Sequence, residues 1–128
     1  MKRILAIVLS SMLLAACAKQ EDVMCRLTLT AQMPSGEKIV ALTVDRKSTG
    51  NYFRNANTGE TYDIPMILNG TATMSVLKGV YTVSFDGIAA LPDGSAKKVR
   101  CAEFATLLTA VSLTEDSQTL ELPLIVLQ

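Results

Sequence analysis

"NGTATMSVLKGVYTVSFDG", residues 69–87, decides the fold. Within it Ala72, Met74 and Val76 alternate with Thr71, Thr73 and Ser75, and Tyr81, Val83 and Phe85 alternate with Thr82 and Ser84. A period of two puts each apolar set on one face of a sheet, as a half-buried strand requires. Asn69-Gly70 opens the stretch and suits a tight hairpin turn, whose two central positions both need positive φ. Lys78-Gly79 and Asp86-Gly87 punctuate the rest.

The same grammar extends in both directions. Cys25, Leu27, Leu29 and Ala31 share a face against Arg26, Thr28 and Thr30, and Val40, Leu42 and Val44 repeat the pattern. Turn chemistry recurs at Pro34-Ser35-Gly36, Thr49-Gly50, Asn57-Thr58-Gly59, Pro92-Asp93-Gly94 and Glu115-Asp116-Ser117. Such signals, every eight to twelve residues or so between short alternating runs, argue for an all-β sandwich or barrel. Pro65 cannot donate to a ladder, which makes the segment before Asn69 an edge strand or a bulge. Residues 101–113 carry Phe104, Leu108 and Val111 at helical spacing, but threonines and valine favour a strand, with a helical turn allowed near Ala102. Leu120, Leu122, Leu124 and Val126 alternate at first. The end of that run is apolar on both faces, as in a central strand or one awaiting a partner. The expectation is an all-β, antiparallel two-sheet sandwich of about seven to nine strands over residues 24–128. Its core would hold Leu27, Leu29, Val40, Leu42, Val44, Met74, Val76, Tyr81, Val83, Phe85, Leu120 and Leu122.

The chain begins differently. Lys2 and Arg3 precede an almost wholly apolar run from Ile4 to Ala16, and Lys19, Glu21 and Asp22 follow it. This is the layout of a secretory signal, and the run is shorter than the roughly 20 residues a bilayer-spanning helix needs. Leu14-Ala15-Ala16-Cys17 resembles the bacterial lipobox, in which small residues precede the cut and the cysteine thiol takes a diacylglycerol. The resemblance implies a signal peptide at 1–16, a lipidated Cys17 opening a tether at 17–23, and stable membrane attachment by two or more acyl chains. Ala18-Lys19-Gln20-Glu21-Asp22 lacks the aspartate after cysteine that retains many lipoproteins at the inner membrane. It resembles the surface-export tag of Bacteroidota lipoproteins, though an ordinary polar tether reads equally well. The implied address is the outer membrane, lipid-anchored, facing the periplasm or the surface.

Composition narrows the chemistry. The full chain has twelve basic and twelve acidic side chains, and loss of Lys2 and Arg3 leaves an acidic excess of two. No basic patch interleaved with aromatics suggests nucleic acid. Lys97, Lys98 and Arg100 read as the solvated face of a strand. The chain contains no histidine and no tryptophan, which removes Ser-His-Asp and Cys-His catalysis and histidine-ligated zinc. No cofactor or metal is expected, and no enzyme.

The stretch from Pro34 to Gly87 resembles the prealbumin-like β-sandwich, of transthyretin-like or Cna-B-like type, found in surface proteins and Bacteroidota lipoproteins of unknown function. The shared elements are Thr49-Gly50 with Tyr52, Asn69-Gly70 with Ala72, and Gly79-Val80-Tyr81-Thr82-Val83. They are turn glycines and core residues, so the resemblance implies a fold and carries no activity. The isopeptide-forming members need a buried Lys-Asn pair with an acidic partner, which has no clear counterpart here.

Two further sites stand out. With Cys17 acylated, Cys25 and Cys101 form an even pair in an oxidising compartment. A bridge would close a loop of about 77 residues, worth about 4–5 kcal/mol by chain entropy, and the alternative is two buried thiols. Residues 48–63 set Tyr52, Phe53 and Tyr62 among Arg54, Asn55 and Asn57. Tyr52, Arg54, Asn55 and Asn57 are the candidates to face a glycan or protein partner. The competing reading is a hairpin with its aromatics inward and its asparagines in turns. The functional expectation is a non-enzymatic envelope module on a lipid anchor. The alternative is an accessory subunit of a surface fibre or envelope complex, completed by strand addition.

Overall fold

The computed structural model describes residues 23–45 and 50–127. The expected signal peptide, Cys17 and most of the tether lie outside the described residues, as does Thr49 of the Thr-Gly turn. The described residues are all-β: ten strands and no helix. In chain order these are β1 (Met24–Ala31), β2 (Ala41–Val44), β3 (Tyr52–Asn55), β4 (Ile67–Leu68), β5 (Thr71–Leu77), β6 (Gly79–Ala90), β7 (Ala96–Cys101), β8 (Val111–Leu113), β9 (Ser117–Leu122) and β10 (Ile125–Val126).

They form one curled sheet in the order β10-β7-β6-β2-β4-β5-β1-β9, with β3 and β8 joined to β6 beside this path. The long strand β6 is the hub. Its first half pairs β3 and β8, and its second half pairs β2 and β7. Gly87 sits in that second half because a Cβ there would meet the backbone oxygen of Thr43 at 2.7 Å. The curl follows from the two ends of the path. Leu122 pairs Ala31 at one end, Ile125 pairs Arg100 at the other, and only Pro123 and Leu124 lie between. Three residues reach about 10 Å, so the sheet's ends must approach that closely. Pro123 breaks the strand there because it has no N–H to donate.

Most of the stretch that decided the fold behaves as read, but Asp86-Gly87 is no turn: both residues lie inside β6, where the missing Cβ of Gly87 serves close strand approach. Asn69 and Gly70 have φ of 54° and 83° and turn β4 into β5. Cys25, Leu27 and Leu29 of β1, and Tyr81, Val83 and Phe85 of β6, are buried on one shared core with Leu42, Val76, Leu120 and Leu122.

Several expectations need correction. The sheet is mixed, since β1 and β9 run parallel while the other pairs are antiparallel. Alternation fixes which face a residue takes and carries no information about strand direction. Ten strands replace seven to nine because two-residue β4 and β10 are too short to leave a pattern. The segment after Pro65 is no edge: β4 lies between β2 and β5. Val40 is 45% exposed, and Ile39 takes the core position. The backbone of Val40 donates to Ala90 and accepts from Asn69 just before β2 begins, in a bend that turns its side chain outward. Val44 and Met74 only pack against the core's margin. Residues 102–110 are neither strand nor helical turn but a loop with two tight turns, and Leu108 at its tip is 99% exposed.

Candidate functional site

The hairpin that carries Tyr52, Arg54, Asn55 and Asn57 starts from β3, whose partner is the first half of β6. Alternation sends Phe53 and Asn55 inward and Tyr52 and Arg54 outward. Phe53 meets Tyr81 at 5.1 Å and Tyr62 at 6.4 Å between ring centres, so three of the aromatics build core.

Asn55 cannot face a ligand. It is fully buried, its Oδ1 accepts from the backbone N–H groups of Asn57 and Thr58, and its Nδ2 donates to the Tyr81 hydroxyl. An amide buried at the start of a turn must satisfy its polar atoms locally, and here the turn supplies the partners. Asn57 is exposed, but its Oδ1 accepts from Val80 N–H at 2.9 Å, tying the turn to β6. Tyr52 donates its hydroxyl to Ala105 at 2.6 Å, and the Arg54 guanidinium lies 5.5 Å over its ring. That stacked pair is the part of the set left on the surface. Asn51 clips two strands together, donating to the carbonyl of Asp45 and accepting from Asp86 N–H.

Cys25 and Cys101 are both free and fully buried, so the expected bridge is absent from this structure. Burial pushes the Cys25 thiol up, and it pushes Cys101 up to about 11. Both behave as small core hydrophobes. The basic cluster is spent on the surface: Arg100 binds Asp86 through two bonds of 2.7 and 3.1 Å, which holds the Asp86 carboxyl below its usual value.

Sequence reasoning missed a groove of about 540 Å³ among the described residues. It lies where the end of β1 meets the β4–β5 turn and the Lys38–Val40 segment, joined by Ala31 N–H to Gly70 O and Asn69 N–H to Val40 O. Its floor is Ala31 and Ile39, both buried, and its rim includes exposed Gln32, Lys38, Asn69 and Glu121. An apolar floor under amides, one cation and one carboxylate suits a polar, extended ligand held by hydrogen bonds. These residues come from segments scattered over some 90 positions, and only Asn69-Gly70 carried a signal that sequence could reveal. Among the described residues no group of three or more carboxylate or cysteine side chains is placed to hold a metal ion. Compared with known proteins, the chain matches no family model, no curated protein and no solved structure.

Proposed function

We propose that this protein is a non-enzymatic cell-envelope lipoprotein, a β-domain hung by lipid on Cys17 from the outer membrane and offering its groove to a glycan or an extended peptide. The observation that carries the reading is Leu14-Ala15-Ala16-Cys17 after a basic and apolar start, with β1 beginning only at Met24. The seven-residue spacing leaves a short tether between lipid and domain. The domain is a prealbumin-like two-layer sandwich, a reading supported by β6 serving two sets of partners and by the sheet ends meeting across Pro123-Leu124. The Lys19-Glu21-Asp22 segment fits export to the cell surface, as in Bacteroidota lipoproteins, and equally an ordinary polar tether. Cells fed an alkyne-tagged palmitate test the anchor: the wild-type chain takes the tag and Cys17→Ser does not. An untagged wild-type chain defeats the reading.

The accessory-subunit alternative draws on β10. Among the described residues this two-residue strand pairs only β7, and Ile125 and Val126 are 55% and 41% exposed. A partner's strand could extend that edge.

A further inference from the structure

The loop between β7 and β8 carries the two most exposed large apolar side chains among the described residues. Leu107 is 75% and Leu108 is 99% exposed, whereas every other exposed large apolar side chain there is at most 55%. The tip is built to keep them out. Its shoulders, Phe104 and Val111, pack against the core, Phe104 O accepts from Val83 N–H, and Ala105 O accepts from the Tyr52 hydroxyl. Thr106 and Thr109 close the turn, with their hydroxyls 3.0 Å apart and Thr109 N–H donating to Thr106 O. Residues 104–114 carry no charge. An uncharged turn that bonds its own hydroxyls loses little on entering the edge of a bilayer.

The place of this tip in the fold points to that medium. Val23 O accepts from Lys78 N–H, beside the start of β6, so the tether enters there. Leu113 pairs Gly79 and Val111 pairs Tyr81, which returns the loop to the sheet about 7 Å along β6 from that level. Leu108 is three residues further, at most about 11 Å. Cys17 is six residues before Val23, a length of chain that spans at most about 22 Å. Leu108 and an acylated Cys17 can therefore meet one bilayer together. The groove lies at the other end of β1, about 23 Å along the strand from Met24.

We propose that Leu107 and Leu108 dip to the boundary of headgroups and acyl chains in the bilayer that holds Cys17, and set how the domain stands on it. Insertion rests on the lipid anchoring read from Cys17. The lipid supplies the attachment, and the second contact stops the domain turning freely about its tether. With the tip seated, the groove end is held off the bilayer and stays open to a ligand from the aqueous side.

The chain contains no tryptophan, so one introduced indole reports its own surroundings. The acylated full-length chain is reconstituted into phosphatidylcholine vesicles, with and without bromine on the acyl chains. Leu108→Trp puts the indole on the tip. Ser35→Trp puts it on an exposed turn beyond the groove end of β1 and controls for the indole's own affinity for interfaces. On vesicles, Leu108→Trp emission should move to shorter wavelength and fall about twofold or more with brominated lipid, as at the acyl-chain boundary. Ser35→Trp should change in neither respect, and adding Leu107→Asp to Leu108→Trp should restore the emission seen in water. Co-sedimentation reports the anchor separately. A chain that sediments with the vesicles while Leu108→Trp emits as in water overturns the insertion and leaves the anchor standing. A chain that does not sediment overturns both. Short-wavelength emission that brominated lipid leaves unquenched also overturns the insertion, because protein, such as a second copy, then covers the tip.

Discussion

Asn55 donates its side-chain N–H to the Tyr81 hydroxyl across 3.2 Å, with both residues fully buried. Tyr81 in turn donates to the carbonyl of Leu77 at 2.6 Å, so one amide and one phenol lock the Asn57–Gly59 turn onto the start of β6. The asparagine that looked like a ligand contact is a structural clip.

Replacing it should therefore cost stability. Asn55→Ala strands two backbone donors and removes the bond that the Tyr81 hydroxyl accepts, and should lower the unfolding free energy by about 2–3 kcal/mol in urea titration. Arg54→Ala, on the exposed outer face, should stay within about 0.5 kcal/mol. Equal losses from the two variants would contradict this assignment.

Gly87 gives a second test. A Cβ at that site comes 2.7 Å from the Thr43 backbone oxygen, which cannot move without disturbing the β2–β6 pairing. Gly87→Ala should destabilise by about 2 kcal/mol or more. Gly50→Ala meets nothing within 4 Å and should be neutral or slightly stabilising, because it restricts the unfolded chain. Thermal melts of the two variants check the contrast.

The buried thiols and Tyr81 predict an alkaline weakness. Burial raises Cys101 from 9.0 to about 11, and burial raises Tyr81 from 10.0 to about 12. Raised folded values mean that the folded state favours the neutral forms. Their contribution is complete below pH 9 and is lost as pH rises through 11 and 12. The urea midpoint should fall between pH 8 and pH 11, and an unchanged midpoint would contradict the burial of these groups. At neutral pH both cysteines should resist alkylation until urea is added. A chain whose mass is lower by two hydrogens would show the disulfide instead.

Much of this fold was legible because alternation reports burial directly. Cys25, Leu27, Leu29, Tyr81, Val83 and Phe85 went inward as their spacing requires, and Asn69-Gly70 turned where its chemistry allows. What alternation omits was not legible: strand direction, hence the parallel β1–β9 pair, and the side-chain outcome at a bend, hence Val40. The 102–110 loop misled because Phe104, Leu108 and Val111 sit at helical spacing among β-favouring threonines, yet only Phe104 and Val111 pack against the core. In the structure Leu107 and Leu108 are 75% and 99% exposed at a turn whose shape is set by bonds between Thr106 and Thr109. Leu108→Ser should accordingly change stability by less than about 0.5 kcal/mol, while Leu120→Ala in the core should cost about 2–4 kcal/mol. The groove was invisible for a different reason. Its walls meet only through long-range pairing, which no local pattern encodes.

The central claim concerns Cys17, and the intact mass of the mature protein from its native membrane tests it most directly. The account predicts a chain of 112 residues starting at Cys17, heavier than its polypeptide by a diacylglyceryl group with or without a further acyl chain. A mature chain that retains Met1, or one that starts at an unmodified Cys17, would contradict it.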